Sequence, residues 1–421
     1  MSPKTPTTER TEEAKPALVP KLRFPEFRGE MGWIEKRGSS LFDQISEKNP
    51  EPGLPVLAIT QEHGAIPRHL IDYHVSVTEK SIESYKVVQV GDFIISLRSF
   101  QGGIEYSKYH GICSPAYVVL RHRVEGNDAY FTHYLKTDRF IQILTKNLEG
   151  LRDGKMISYK QFSELLIPVP SAPEQQKIAD CLSSLDELIA AQARKVDTLK
   201  THKKGLMQQL FPREGETQPR LRFPEFQNGG EWDVRTIGDM FHLINGCAFK
   251  PEDWKPNGTP IIRIQNLNDP SAEFNYSQAP VLERNRIESG DLLFAWSGTL
   301  GSSFGARVWN GPSGVLNQHI FKVLMNEQQI TIPFSLLVLS RVEEDIAKQA
   351  HGFKASFVHV KKSDLVKVDL PLPPLPEQQR IASCLSSLDA LITAETQQLE
   401  TLKTHKKGLM QQLFPSAALS S

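Results

Sequence analysis

The 421-residue chain has four cysteines and no Cys-x-x-Cys pair, which argues against a disulfide scaffold or a structural zinc site and fits a reducing cytoplasm. It has no run of 18 apolar residues and no apolar stretch behind a charged start, so neither a membrane span nor a signal peptide is expected. It has no excess of charge either. The 49 basic residues balance 49 acidic ones, so any contact with nucleic acid has to come from local patches. Catalytic signatures are missing too. Residues 150–156 (Gly-Leu-Arg-Asp-Gly-Lys-Met) imitate a phosphate loop, but they are one residue short and end in Met where Ser or Thr would meet magnesium. There is no glycine-rich dinucleotide fingerprint, no amino-methyltransferase Asn- or Asp-Pro-Pro-aromatic sequence, and no paired histidine spacing for a metal. What is left, 39% hydrophobic and 23% charged residues, is the composition of a soluble globular protein.

What the chain does have is a repeat. Residues 198–212 and 401–415 both read Thr-Leu-Lys-Thr-His-Lys-Lys-Gly-Leu-Met-Gln-Gln-Leu-Phe-Pro, and the longer blocks 173–212 and 376–415 differ at only ten of forty positions. Both blocks open on Pro-Glu-Gln-Gln, and Cys181 and Cys384 share a repeat position, as packing residues would. A second block, Leu22-Arg23-Phe24-Pro25-Glu26-Phe27 with Trp33, returns as Leu221-Arg222-Phe223-Pro224-Glu225-Phe226 with Trp232. Between these blocks the copies have diverged, keeping only scattered matches such as Gly91-Asp92 against Gly290-Asp291. A fixed frame therefore surrounds a variable insert.

In the frame, Ile178, Leu182, Leu185, Ile189, Val196, Leu199, Leu206 and Leu210 follow alternating steps of four and three, with Gln192 and Lys203 at the two missing steps. The second copy repeats this from Ile381 to Leu413, with Glu395 and Lys406 as its polar members. This heptad stripe predicts two long helices, each starting near Pro-Glu-Gln-Gln and stopping before Pro212 or Pro415. So narrow a seam needs a partner: the other copy, or the helix's own globular domain. An antiparallel pair would turn the direct repeat into an approximate two-fold axis, matching the strand symmetry of duplex DNA. The polar seam positions are expected to set register. The duplicated basic cluster, with Lys200, Lys203 and Lys204 in one copy and Lys403, Lys406 and Lys407 in the other, is a candidate surface for two copies of one partner.

Each insert alternates short β-rich runs with a helical stretch near 130–144 or 334–350, the pattern of a mixed α/β (α+β) domain. Their loops hold groups suited to base edges and phosphates: Arg98, Ser99 and Gln101 after one strand, and Trp296, Ser297 and Thr299 after its counterpart. Late in each insert come Arg152, Lys155, Tyr159 and Lys160, and then Lys354, Ser356, His359, Lys361 and Lys362, positive stretches that suit phosphate contact. Gln61, Gln265 and Asn266, just after the first strand of each insert, are candidates for adenine contact.

The Leu-Arg-Phe-Pro-Glu-Phe opening, the Pro-Leu-Pro-Pro-Leu-Pro-Glu-Gln-Gln helix start, the Lys-Lys-Gly-Leu-Met-Gln-Gln-Leu-Phe helix end and the two-unit layout resemble the specificity subunits of type I restriction-modification systems, from Leu22 to Pro415. The resemblance implies two target recognition domains, each reading half of an asymmetric bipartite site in double-stranded DNA, and an intramolecular antiparallel coiled coil with pseudo-two-fold symmetry that sets the spacer. It implies two methyltransferase subunits docked on the helices, restriction subunits held through them, and no enzymatic activity in this chain. S-adenosylmethionine, ATP and magnesium would belong to those partners, with no cofactor or metal here. The expected layout is a disordered tail over 1–20, recognition domains over 21–172 and 221–375, spacer helices over 173–212 and 376–415, a linker over 213–220 and a tail over 416–421. Three other readings compete with it: a self-contained enzyme such as a fused methyltransferase-specificity protein, which the missing catalytic signatures speak against; an orphan subunit that redirects or sequesters a methyltransferase; and a coiled-coil scaffold that does not bind DNA.

Overall fold

The computed structural model of the chain describes residues 18–48, 50–71, 82–97, 99–124, 128–146, 157–269, 271–350 and 357–415, and at 100 and 347–350 the backbone alone. It divides into two compact units, one of residues 1–194 with 396–421 and one of residues 195–395. Each unit holds one insert together with the start of one long helix and the end of the other.

The helices run Ala172–Leu210 and Leu375–Leu413, 39 residues each, about 58 Å at ~1.5 Å per residue. In the first unit Ile178 and Leu182 share a core with Leu413 and Phe414, while Asp186, further along, bonds Lys406 at 2.5 Å. In the second, Ile381 and Leu385 share a core with Leu210 and Phe211, while Asp389 bonds Lys203 at 2.6 Å and Glu395 bonds Lys195 at 2.7 Å. Moving forward along one helix means moving back along its partner, so within each unit the paired segments are antiparallel. Lys203 and Lys406, the polar gaps in the stripe, make matching ion pairs across the two seams, and Gln192 and Glu395 are 9% exposed.

The two inserts have diverged in sequence, but each holds a four-stranded sheet of corresponding strand order. In the first unit the strand order is Phe42–Ile45, Val118–His122, Phe93–Ile95, Glu105–Tyr106; in the second it is Phe241–Asn245, Ile320–Met325, Leu292–Ala295, Gly305–Val308. The same turn leads into the third strand of each order. Gly91 and Gly290 have φ of 99° and 100°, a conformation only glycine adopts without strain. The next residue's carboxylate then accepts a backbone N–H, Asp92 from Gln89 and Asp291 from Glu288, at 2.8 Å in both cases. The surviving Gly-Asp match is thus a turn requirement. A frame strand enters and leaves each insert as an antiparallel pair, Ile34–Arg37 with Leu166–Val169 and Asp233–Thr236 with Asp369–Leu372.

The helical stretch near 130–144 is two helices, Asp128–Tyr134 and Asp138–Lys146. Thr137 divides them by accepting from Phe140 N at 3.2 Å, as an N-cap does. Ile264 opens the short helix Ile264–Asn268, directly after the strand Thr259–Ile262 and Arg263. The second unit has another four-stranded sheet, ordered Asn275–Ser277, Thr259–Ile262, Gly314–Leu316, Arg286–Ile287. Residues 1–17 and 416–421 of the expected tails lie outside the described residues, and Leu18 accepts from Trp33 N at 2.7 Å.

Candidate nucleic-acid interface

The frame motifs meet at one joint in each unit. The Arg23 guanidinium donates through Nε and Nη2 to both oxygens of Glu174, at 2.8 and 2.7 Å. Arg222 does the same to Glu377, at 2.7 Å for both bonds. Each arginine also donates to two carbonyls of its own loop, Glu30 and Met31 in one copy and Gly229 and Gly230 in the other. Lys177 pairs with Glu26 at 3.1 Å and Arg380 with Glu225 at 3.0 Å. Leu22 N donates to Gln412 O and Leu221 N to Gln209 O. The Leu-Arg-Phe-Pro-Glu-Phe block therefore ties the first turn of one helix to the last turn of the other. That explains why opening, helix start and helix end are preserved together. Phe414 packs edge-on to Trp33 and Phe211 edge-on to Trp232, which seats each helix end in a globular core. Beside the first joint His133 Nε2 lies 3.2 Å from Ser183 Oγ. Burial, with Lys406 nearby, pushes this imidazole down to about 4, so it is neutral at pH 7.

In the second insert, two candidate segments 60 residues apart form a ribbon, Ser297–Thr299 antiparallel to Phe357–His359 with Thr299 opposite Phe357 and Ser297 opposite His359. Val358 packs on the core, which turns Phe357 and His359 the other way. Phe357 is 61% exposed, and the Trp296 ring lies 4.6 Å from the His359 ring. Lys361 is exposed alongside. Lys362 is instead anchored to Leu243 O at 2.6 Å. Lys354 and Ser356 lie outside the described residues.

In the first insert, a Cβ on Gly102 would lie 2.6 Å from the Gln61 side chain, so the Gln61 loop and the loop carrying exposed Gln101 are adjacent. Lys160 is exposed and Gln265 of the second insert is too. Arg98, Arg152 and Lys155 lie outside the described residues.

Four candidates need correcting because their polar groups are occupied or buried. Ser99 is 1% exposed and its hydroxyl accepts from Ser96 N. Asn266 is fully buried, its side chain accepting from Arg263 N and donating to Ala272 O. Ser297 is 4% exposed. Tyr159 donates its hydroxyl to Phe42 O at 3.0 Å. Short polar residues serve turns and caps as readily as ligands, which is why their type alone misled.

The duplicated lysines separate in the same way. Lys203 and Lys406 are spent on the helix pairing, whereas Lys200, Lys204, Lys403 and Lys407 are exposed. Lys403 pairs with Glu400 at 2.8 Å and Lys407 with Asp138 at 3.7 Å. The sequence reading missed two exposed apolar residues at one repeat position, Leu188 at 56% and Leu391 at 41%. They step out of the heptad stripe, and that is the signal that could have found them. No cluster of His, Cys, Asp or Glu among the described residues is placed to hold a metal, and no described helix is long and apolar enough to cross a membrane.

The sequence profile of the type I restriction modification DNA specificity domain matches residues 28–201 and again 229–404. The chain belongs to this family. These two specificity domains each take in one insert and most of the helix that follows it. The type I restriction enzyme MjaVIII specificity subunit of Methanocaldococcus jannaschii is 24% identical over 359 residues, 81% of either chain. The EcoBI specificity subunit of Escherichia coli is 26% identical over 188 residues, 44% of this chain and 38% of its own. The crystal structure of a type I restriction-modification S subunit from M. genitalium has the same fold, with a TM-score of 0.53 at 18% identity over 95% of this chain and all of that one. A chain from a study of assembly and conformational transition in the type I system aligns at 0.55 and 19% identity, covering 91% and 98%. The chain is thus a type I restriction-modification specificity subunit with two tandem recognition domains of mixed α/β fold.

Proposed function

We propose that each recognition domain reads one half of an asymmetric bipartite target in double-stranded DNA, that the two long helices set the spacer, and that the chain itself performs no catalysis. The observation that carries this reading is the contrast between joint and insert. The Arg–Glu clamps, the Asp–Lys seam pairs and the Phe–Trp contacts recur in both units, while the loops on the two sheets differ in every candidate contact. Identical joints suit two copies of one partner, and different loops suit two different half-sites.

In this reading the domains extend over 21–172 and 221–375 and the helices over 173–212 and 376–415, with 213–220 as linker. Two methyltransferase subunits dock on the helices and hold the restriction subunits, supplying the sites for S-adenosylmethionine, ATP and magnesium in the cytoplasm. Leu188 and Leu391, with the exposed Lys200, Lys204, Lys403 and Lys407, are the docking residues, because they are duplicated and do not carry the seam. In the second domain the ribbon faces DNA through Thr299, Phe357 and His359, since a two-stranded ribbon fits the major groove. In the first, Gln61, Gln101 and Lys160 do so.

Mapping methylated bases across the genome with and without the gene tests the whole reading. A split motif that disappears with the gene is expected; an unchanged methylome, with the partner subunits expressed, would refute it.

A further inference from the structure

Arg263 was not among the sequence candidates, because the feature that distinguishes it arises from three separate segments. It follows the strand Thr259–Ile262. Its guanidinium lies over the Trp254 ring, 5.0 Å from the centroid, and its Nη1 donates to Asn275 Oδ1 on the neighbouring strand at 2.8 Å. Trp254 and Asn275 are half-buried, as is Arg263 itself. The stacked ring fixes the plane of the guanidinium and the amide fixes its rotation.

The opposite edge is free. Among the described residues Arg263 has no carboxylate partner, and its Nε and Nη2 make no hydrogen bond and are not fully buried. A structural arginine ordinarily spends this edge on a carboxylate, as Arg23 and Arg222 do. Here a planar pair of donors is held rigidly with nothing to donate to. Exposed Gln265 lies two residues further on. The lysines on either side of Trp254 are engaged with Glu252, Lys250 by an ion pair at 4.0 Å and Lys255 by a bond to its carbonyl at 3.3 Å. The matching ligand is a pair of acceptors in one plane. In the major groove guanine presents this pair, O6 and N7, and arginine pairs with both at once.

We infer that Arg263 is a specificity-determining residue of the second recognition domain and reads a guanine through its Nε–Nη2 edge, with Trp254 and Asn275 positioning it. The inference rests on the proposed DNA-reading function and adds one base to one half-site. Lysine at this position would keep the charge and lose the two-donor geometry.

The test uses the complex with the system's own methyltransferase subunits and a DNA library randomised across the target, sequenced for methylation. The wild-type motif is expected to hold a guanine in the half-site that follows the second insert. In Arg263→Lys the preference at that base should disappear and methylation of the parent site should fall about 5- to 150-fold, with the first half-site and the thermal midpoint unchanged. Arg263→Ala should lose the same preference. An Arg263→Lys complex with an unchanged motif overturns the inference, and so does an equal loss on all sequences, which is the mark of a phosphate contact or a structural brace. A wild-type complex with no preference anywhere in the second half-site overturns the DNA-reading proposal instead, so the two failures are distinguishable.

Discussion

Arg23 and Glu174 have side chains only 6% and 1% exposed, so their ion pair is closed off from water. Replacing one partner leaves the other charge buried and unpaired, at a cost of about 3–5 kcal/mol. Glu174→Ala should therefore lower the thermal midpoint sharply. The double replacement Arg23→Met with Glu174→Met should recover most of the loss, because no charge is then left uncompensated; both are read by calorimetry. Glu343 is a half-buried acid. Its carboxyl accepts from Ala306 N at 2.7 Å, and burial pushes it up to about 7 from an ordinary 4.5. With the folded value above the unfolded one, the protonated group's contribution is full below pH 4.5 and is lost as pH rises through about 7. Glu343→Gln should flatten the fall in stability across that window in a pH series of melts. At this scale the sequence showed which residues were duplicated. It did not show that Arg23 belonged with Glu174, because 151 positions separate them.

The long helices were legible because their signal is local and stated twice: consecutive residues carry the heptad stripe, and both copies keep its phase. The heptad stripe left the direction of pairing open and the family resemblance implied an antiparallel pair; within each unit the segments are antiparallel, as Asp186 with Lys406 and Asp389 with Lys203 decide. Removing one heptad from each helix should shorten the spacer of the recognised site or abolish activity, which methylation of targets with graded spacers would reveal. Leu188→Glu with Leu391→Glu should weaken assembly with the methyltransferase while sparing helix content, since neither residue lies in the seam; co-purification and circular dichroism separate the two effects. Other elements were less legible. Thr137 divides the predicted helix near 130–144 by capping Phe140 N, a side-chain bond that apolar periodicity does not record. The ribbon of Ser297–Thr299 and Phe357–His359 was visible only as two loops of suitable chemistry, because nothing within either loop specifies its partner.

For the whole molecule, the two inserts share a sheet order and a Gly-Asp turn although almost no sequence joins them. Core positions of a sheet accept many apolar residues of similar volume, and only the turn demands particular ones. Two such inserts held by duplicated joints should act as independent modules. Exchanging residues 34–169 for the insert of another specificity subunit should change one half-site and leave the other intact, and a methylation map showing both halves altered would contradict this. The sequence by itself determined the repeat, the division into frame and insert, the two helices and, through the frame motifs, the family. Those features are written in neighbouring residues or in a comparison of the chain with itself. The tertiary structure alone decided which distant segments meet: Leu22 with Gln412, Thr299 with Phe357, Arg263 with Asn275 and Trp254. Such pairings depend on burial and hydrogen bonding satisfied jointly across the fold, and no local window of sequence contains both partners.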